Sequence, residues 1–310
     1  MPVLWVLGTV WLWSLIPLAV KLAYVSFNPG FIALARLVGG TCVFAALEVA
    51  AGRGIRLPGR RAALDLGGPN WIGLRAWIAV AGLGIGGDLL LYTLGLHYTT
   101  ASAATLIVST DGIMLALLGV LVLRERMSWL KAGAGAAALA GLLLVGWNGQ
   151  DLSALLQSKY LLGNVLVFSA ACCWASYGLG QRVLARTPGG TLVPVFLVGT
   201  AVAGLVALTQ PIAHHPLRGS AVLALVYLGF GGTGLAYVLL VKGLARLEAA
   251  TVGLLGSTLP VFTMVEAHLL IGETVTRYLL AGAALVIAGV ALMMGHQRIY
   301  GADPGPPSSA

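Results

Sequence analysis

Charge is what this sequence most lacks. Of its 310 residues only 9% are Asp, Glu, Lys or Arg, against about a quarter in soluble globular domains. With 59% of residues hydrophobic, the chain has too few polar side chains to coat a water-exposed globule, and a soluble fold is excluded. Cysteine is nearly absent. Cys42, Cys172 and Cys173 all lie inside apolar runs, which rules out an extracellular disulfide framework and makes them small core residues. The sequence contains no HExxH, GxSxG, GxxxxGK[ST] or CxxC, so zinc-protease, serine-hydrolase, nucleotide-loop and dithiol chemistries have no foothold. His268 beside Glu266 and Glu273 is the nearest thing to an acid and histidine cluster. Its spacing fits no metal pattern and it lacks a third ligand, so no metal, cofactor or catalytic residue is expected.

What the chain does have is apolar length. Ten runs approach the roughly 20 residues a helix needs to cross a bilayer core, at about 3–25, 31–50, 76–96, 100–122, 129–147, 161–181, 191–210, 220–241, 249–271 and 278–295. The reading is an all-α membrane protein of ten transmembrane helices. "MPVLWVLGTVWLWSLIPLAV" lacks a basic leader and a small-residue cleavage site, and is read as a retained first span. The terminal "GADPGPPSSA" has the composition of a disordered tail.

A net charge of +8 suggests a nucleic-acid partner only if the cations share a water-exposed face. With a cytoplasmic N-terminus, thirteen of the eighteen Lys and Arg residues fall on inside connections, from Arg53 to Arg298. Lys21, Lys159, Arg218 and Arg277 fall outside, and Arg36 lies within the second span. The excess is a positive-inside signal that places both termini in the cytoplasm. No nucleic-acid partner is needed. The expected surroundings are a lipid bilayer, a bacterial inner membrane, holding the chain as a monomer.

The chain also repeats itself. An offset of 148 aligns Gly84 with Gly232, Gly86 with Gly234, Ser109 with Ser257, Glu125 with Glu273 and Gly141 with Gly289, without a gap. Nearer each start an offset of 161 pairs Trp13 with Trp174 and Lys21 with Arg182. Each copy holds five spans, and an odd number makes the second copy enter from the opposite side. The expected organisation is a first five-helix repeat over 1–147, an external linker over 148–160, an inverted repeat over 161–297 and the tail over 298–310. Inverted repeats can exchange conformations across a shared cavity, which is alternating access.

"GSTLPVFTMVEAHLLIGETVTRYLLAGAALVIAGV", with Pro260 thirteen residues before Glu273, resembles the repeated signature of the drug/metabolite transporter superfamily, EamA type. The first copy carries "STDGIMLALLGVLVLRERMSWLKAGAGAAALAG", with Gly112 where the family usually has Pro. "ARL" around Arg36 and "CCWASYGLGQRVLAR" are similar to the family's second and sixth spans. The resemblance implies a transporter of small metabolites, and the general look is similar to bacterial exporters of aromatic amino acids. Nucleosides, drugs and other metabolites are the alternative cargo, and an intramembrane enzyme the remote alternative.

Polar side chains inside spans are costly and need a partner, water or a role. Ser102, Thr105, Ser109 and Gly112 share one helical face, as do Ala250, Gly253, Ser257 and Pro260. They read as weakly polar cavity walls or as small-residue helix packing. Trp174, Tyr177 and Gln181 form a stripe on the sixth span, and Ser14, Pro17 and Lys21 form one on the first beside Trp13. Asp88, Tyr92 and Thr99 share a face of the third span, and Tyr227, Gly231, Gly234 and Tyr237 one of the eighth. The expected cavity is therefore walled by Trp13, Ser14, Pro17, Tyr92, Ser102, Thr105, Ser109, Trp174, Tyr177, Tyr227, Tyr237 and Ser257. Pro17 and Pro260 are candidate hinges or static kinks, and Glu125 and Glu273 are candidate gates. Helical phase turns Asp111 and Glu266 away from this cavity, so that either they pair with Arg36 or another helix's polar groups or the assigned face is the wrong one, and Lys21 and Arg36 read as outer-end residues that snorkel to the interface.

Overall fold

The computed structural model describes residues 2–52, 73–99, 104, 107–108, 110–124, 128–147, 158–184, 191–209, 216–247, 249–271 and 276–300. Hydrocarbon offers no partner to a backbone N–H or C=O, so apolar runs of this length fold as helices that bond internally. Helix occupies each of the ten apolar segments. Segment one is split into α1 (Pro2–Ser14) and α2 (Ile16–Ala23). Segments two and three are α3 (Pro29–Ala50) and α4 (Leu74–Tyr98). Segments four to seven contain α5 (Asp111–Leu123), α6 (Trp129–Trp147), α7 (Ser158–Leu184) and α8 (Leu192–Ala207). Segment eight runs as α9 (Gly219–Val226), a π-helical stretch Tyr227–Leu235 and α10 (Ala236–Leu244). Segment nine is split into α11 (Ala249–Gly256) and α12 (Leu259–Ile271), and segment ten is α13 (Arg277–Tyr300). The last helix thus continues three residues into the stretch expected to be tail.

Several threonine hydroxyls inside these helices are satisfied locally. Thr41, Thr93, Thr200 and Thr263 each donate to the carbonyl four residues earlier, at 2.6–3.1 Å, which removes the cost of an unpaired group in an apolar medium. Helix ends use left-handed residues: Gly52 (φ 66°) follows α3, and Arg124 (φ 55°) caps α5 by donating its N–H to Gly119 O.

Among the described residues, five helices are by length and composition apolar enough to cross a membrane: Pro2–Ala23, Pro29–Ala50, Leu74–Tyr98, Tyr160–Leu184 and Gly219–Leu244. Their outward surface is itself apolar, with Leu4 64% and Leu223 72% exposed. A soluble protein would bury such residues, whereas lipid solvates them. Cys42 and Cys172 are exposed rather than in the core, because a small thiol gains nothing by burial when the solvent is hydrocarbon.

The helices pack in a definite set of pairs. α4 lies on α7 and α1 on α10; α4 lies on α8 and α3 on the π-helical stretch; α5 lies on α7 and α1 on α12. α6 also packs on α13, α3 on α8 and α5 on α11. Glycine sets the closest approaches. A Cβ at Gly39 would meet Gly229 Cα at 2.7 Å, and one at Gly86 would meet Gly199 Cα at 2.8 Å. Gly141 is pressed against Gly282 and Val286, while Gly289 is pressed against Ala134 and Ala138.

Candidate functional site

The breaks and the π-helical stretch bring an aromatic cluster together at the middle of the helix bundle. Trp13, one residue before the end of α1, donates its indole N–H to Gly232 O at 3.0 Å. That acceptor lies in the stretch "YLGFGGTGL", where π-helical winding loosens the regular backbone ladder. Trp13 then meets Trp174 edge-on with centroids 5.8 Å apart, and Tyr237 at 5.2 Å. Tyr237 continues to Tyr177 at 5.3 Å and to Phe196 at 5.4 Å, and Phe196 packs on Phe44 at 4.6 Å. Edge-to-face pairs of this kind each contribute about 0.5–1.5 kcal/mol beyond burial alone. The rings come from α1, α3, α7, α8 and α10.

Polar atoms without partners border this cluster. Arg36 of α3 is only 3% exposed; its Nε donates to Thr233 Oγ1 at 3.4 Å, and its Nη1 has no hydrogen-bond partner. The Tyr177 hydroxyl and both amide atoms of Gln181, itself 0% exposed, are also unpaired. Asp88, Tyr24, Tyr92 and Tyr237 lie within electrostatic reach of the Arg36 guanidinium, and Asp111 within reach of Asp88 and Tyr237. Folded proteins leave few buried polar groups unsatisfied, and those they do leave call for an explanation such as a ligand or water. At the break in α1, Ser14 Oγ lies 2.6 Å from Trp11 O and 2.7 Å from Glu266 Oε1, joining the split first segment to α12. Glu266 Oε2 has no partner.

Of the expected wall residues, Trp13, Trp174, Tyr177 and Tyr237 meet in one cluster. Tyr227 is turned toward segment one and donates to Leu12 O. Tyr92 is half-buried near Arg36, and Ser257 is buried with its hydroxyl on Gly253 O at 3.3 Å. Thr99 donates instead to Asn164 Oδ1 at 2.6 Å. Pro17 and Pro260 do not kink continuous helices. Each stands in the first turn of a new one, after breaks at Leu15 and at Ser257–Thr258, where a missing proline N–H costs nothing. Ser102, Thr105, Ser109, Glu125 and Glu273 lie outside the described residues.

One expectation changes. Arg36 does not snorkel outward; it is buried against Thr233. Asp111 and Glu266 belong with the polar groups. Asp111 lies within electrostatic reach of Asp88 on α4, and Glu266 Oε1 meets Ser14 Oγ at the end of α1. Lys21, by contrast, is exposed at the end of α2. The π-helical winding of segment eight was not foreseen; its four glycines in nine residues were the available signal.

Comparison with known proteins fits this architecture. An uncharacterized inner membrane transporter of Escherichia coli (strain K12) is 25% identical, covering 96% of this chain and 92% of that protein. A probable terminal-alkyne amino-acid exporter of Streptantibioticus cattleyicolor is 26% identical, covering 92% of this chain and 90% of that protein. A probable amino-acid metabolite efflux pump of Salmonella typhimurium is 27% identical, covering 61% and 66% respectively. One solved crystal structure superposes with a TM-score of 0.79 at 22% identity, covering 94% of this chain and 98% of that one, a likeness of fold. The model of the EamA-like transporter family matches residues 1–147 and again 161–295, and the chain, a helical membrane protein, belongs to that family of transporters.

Proposed function

We propose that this chain exports small metabolites, amino acids first among them, by alternating access between two inverted five-helix repeats that make ten spans. The observation that carries the reading is the aromatic cluster with its unpaired polar atoms, built by segments one and two on one side and six, seven and eight on the other. Stacking surfaces and a few hydrogen-bond donors suit a planar neutral or zwitterionic solute. The names borne by the Streptantibioticus and Salmonella relatives point to amino acids.

The packing pairs support the repeat. Exchanging segment n with n+5 turns the contact of three and six into that of eight and one, three and seven into eight and two, and four and six into nine and one. The pairs five with ten, two with seven and four with nine map onto themselves, whereas the packing of two on three has no counterpart of like extent between seven and eight among the described residues. Gly141 against Gly282 and Val286 becomes Gly289 against Ala134 and Ala138 under the same offset of 148. In each contact the later residue of one helix meets the earlier residue of the other, so the two equivalent helices run antiparallel, as an axis in the membrane plane requires. Two matches to one family model agree with this. The helix breaks beside Pro17 and Pro260, bridged by Ser14 and Glu266, are the hinges of the proposed movement.

Efflux from liposomes holding the purified chain tests the function. Preloaded aromatic or other neutral amino acids should leave faster than from empty liposomes. Nucleosides or lipophilic cations leaving in their place would reassign the cargo, and no solute flux with turnover of a covalent substrate would return the enzyme alternative. Topology has its own test. A cytoplasm-dependent reporter fused after Arg298 should be active, and activity of an externally reporting fusion there would sink both the count of spans and the inversion.

A further inference from the structure

Resting on the transporter reading, we propose that Arg36 binds the carboxylate of the transported solute, so that the cargo is a carboxylate-bearing molecule and, where it also has an ammonium, that group faces Asp88. Arg36 lies in the N-terminal half of α3, with 3% of its surface exposed. A guanidinium stays charged at any physiological pH and offers five donors in a planar fork. Thr233 engages Nε at 3.4 Å, and Nη1 is left with no acceptor. Asp88 is near enough to interact with the charge but does not satisfy that nitrogen. The carboxylate of Asp88 therefore offsets part of the buried positive charge while a donor edge stays open, the arrangement that a carboxylate completes with charge-assisted hydrogen bonds.

The surroundings give the rest of the ligand. Tyr237 interacts electrostatically with Arg36 and is also the hub of the aromatic cluster, packed on Trp13, Tyr177 and Phe196. A solute with its carboxylate on Arg36 has its body beside these rings. Lipophilic cations are disfavoured by the fixed positive charge, and a neutral nucleoside leaves Nη1 unpaired.

Competition on the reconstituted full-length chain tests this. L-phenylalanine, its amide, phenethylamine and phenylpropionate are compared as competitors of labelled phenylalanine flux and as stabilisers in thermal unfolding. The two carboxylates should act, and the amide and amine should be at least about tenfold weaker, the difference expected of hydrogen bonds to a charged group. Arg36→Gln should lose the preference for acid over amide, and Arg36→Lys should restore part of it. Amide and acid acting equally on the wild type, Arg36→Gln responding to acids as the wild type does, or no carboxylate acting at all would each overturn the proposal. The wild-type comparison decides even if Arg36→Gln fails to fold. Phenylpropionate acting through Arg36 while phenylalanine is neither bound nor moved would keep the carboxylate site and remove the amino-acid reading.

Discussion

Tyr177→Phe should keep the protein folded and abundant in the membrane yet lower its amino-acid efflux by about tenfold, the scale of one lost hydrogen bond to a bound group. Tyr177 is fully buried, its ring packs edge-on against Tyr237 and Phe196, and its hydroxyl has no partner within the protein. Phenylalanine preserves the ring contacts and removes only the unsatisfied oxygen. A buried hydroxyl left unpaired costs about 1–3 kcal/mol, so its removal is neutral or stabilising for the fold. Stability and transport then move independently, which is the signature of a group kept for the solute or its water. Truncating Trp174 to Ala is a blunter probe, because losing the ring that meets Trp13 carries a core cost of about 3–5 kcal/mol of its own. Unchanged efflux by Tyr177→Phe in purified, reconstituted form would mark the cluster as packing and nothing more.

The second large effect is expected where α5 and α11 cross. Gly112 and Gly253 face each other so closely that a Cβ on either would strike the carbonyl oxygen of the other. The obstacle is backbone on both sides, and no rotamer change relieves it. Gly112→Val and Gly253→Val should each force the helices apart at an overpacking cost of about 1–3 kcal/mol or more, lowering the midpoint of thermal unfolding and abolishing efflux. Gly133→Ala and Gly135→Ala on α6 are the controls. An added Cβ there meets nothing within 4 Å, and alanine favours helix over glycine by about 1 kcal/mol, so the midpoint should hold or rise. If Gly112→Val unfolds at the wild-type midpoint and transports normally, the crossing is not constrained at this point.

The resemblance to the EamA type was legible because its carriers are local: the run around Pro260 and Glu273, and the gap-free offset from Gly84 to Gly289. The family match over both stretches agrees with it. Helix in all ten segments was legible for a simpler reason, since an apolar run in hydrocarbon can satisfy its backbone only by bonding within itself. The aromatic cluster was half legible. Trp174, Tyr177 and Gln181 lie on one uninterrupted helix, where counting by 100° holds, and the structure buries all three. The partners of Asp111 and Glu266 were not legible, because they lie on other helices and spacing along one helix does not name them.

Composition and periodicity by themselves determined that this chain is a helical membrane protein and where its apolar segments lie. Those properties follow from each residue's preference for lipid over water and from spacing along one helix. Only the tertiary structure decided that Arg36 is buried on Thr233 with an open donor, that Trp13 reaches a carbonyl of the π-helical stretch 219 residues away, and that Ser14 meets Glu266 across two broken helices. Contacts between distant segments depend on how helices are cut and crossed, and a glycine or proline in a sequence marks where a helix can break or approach another without stating which partner it will meet.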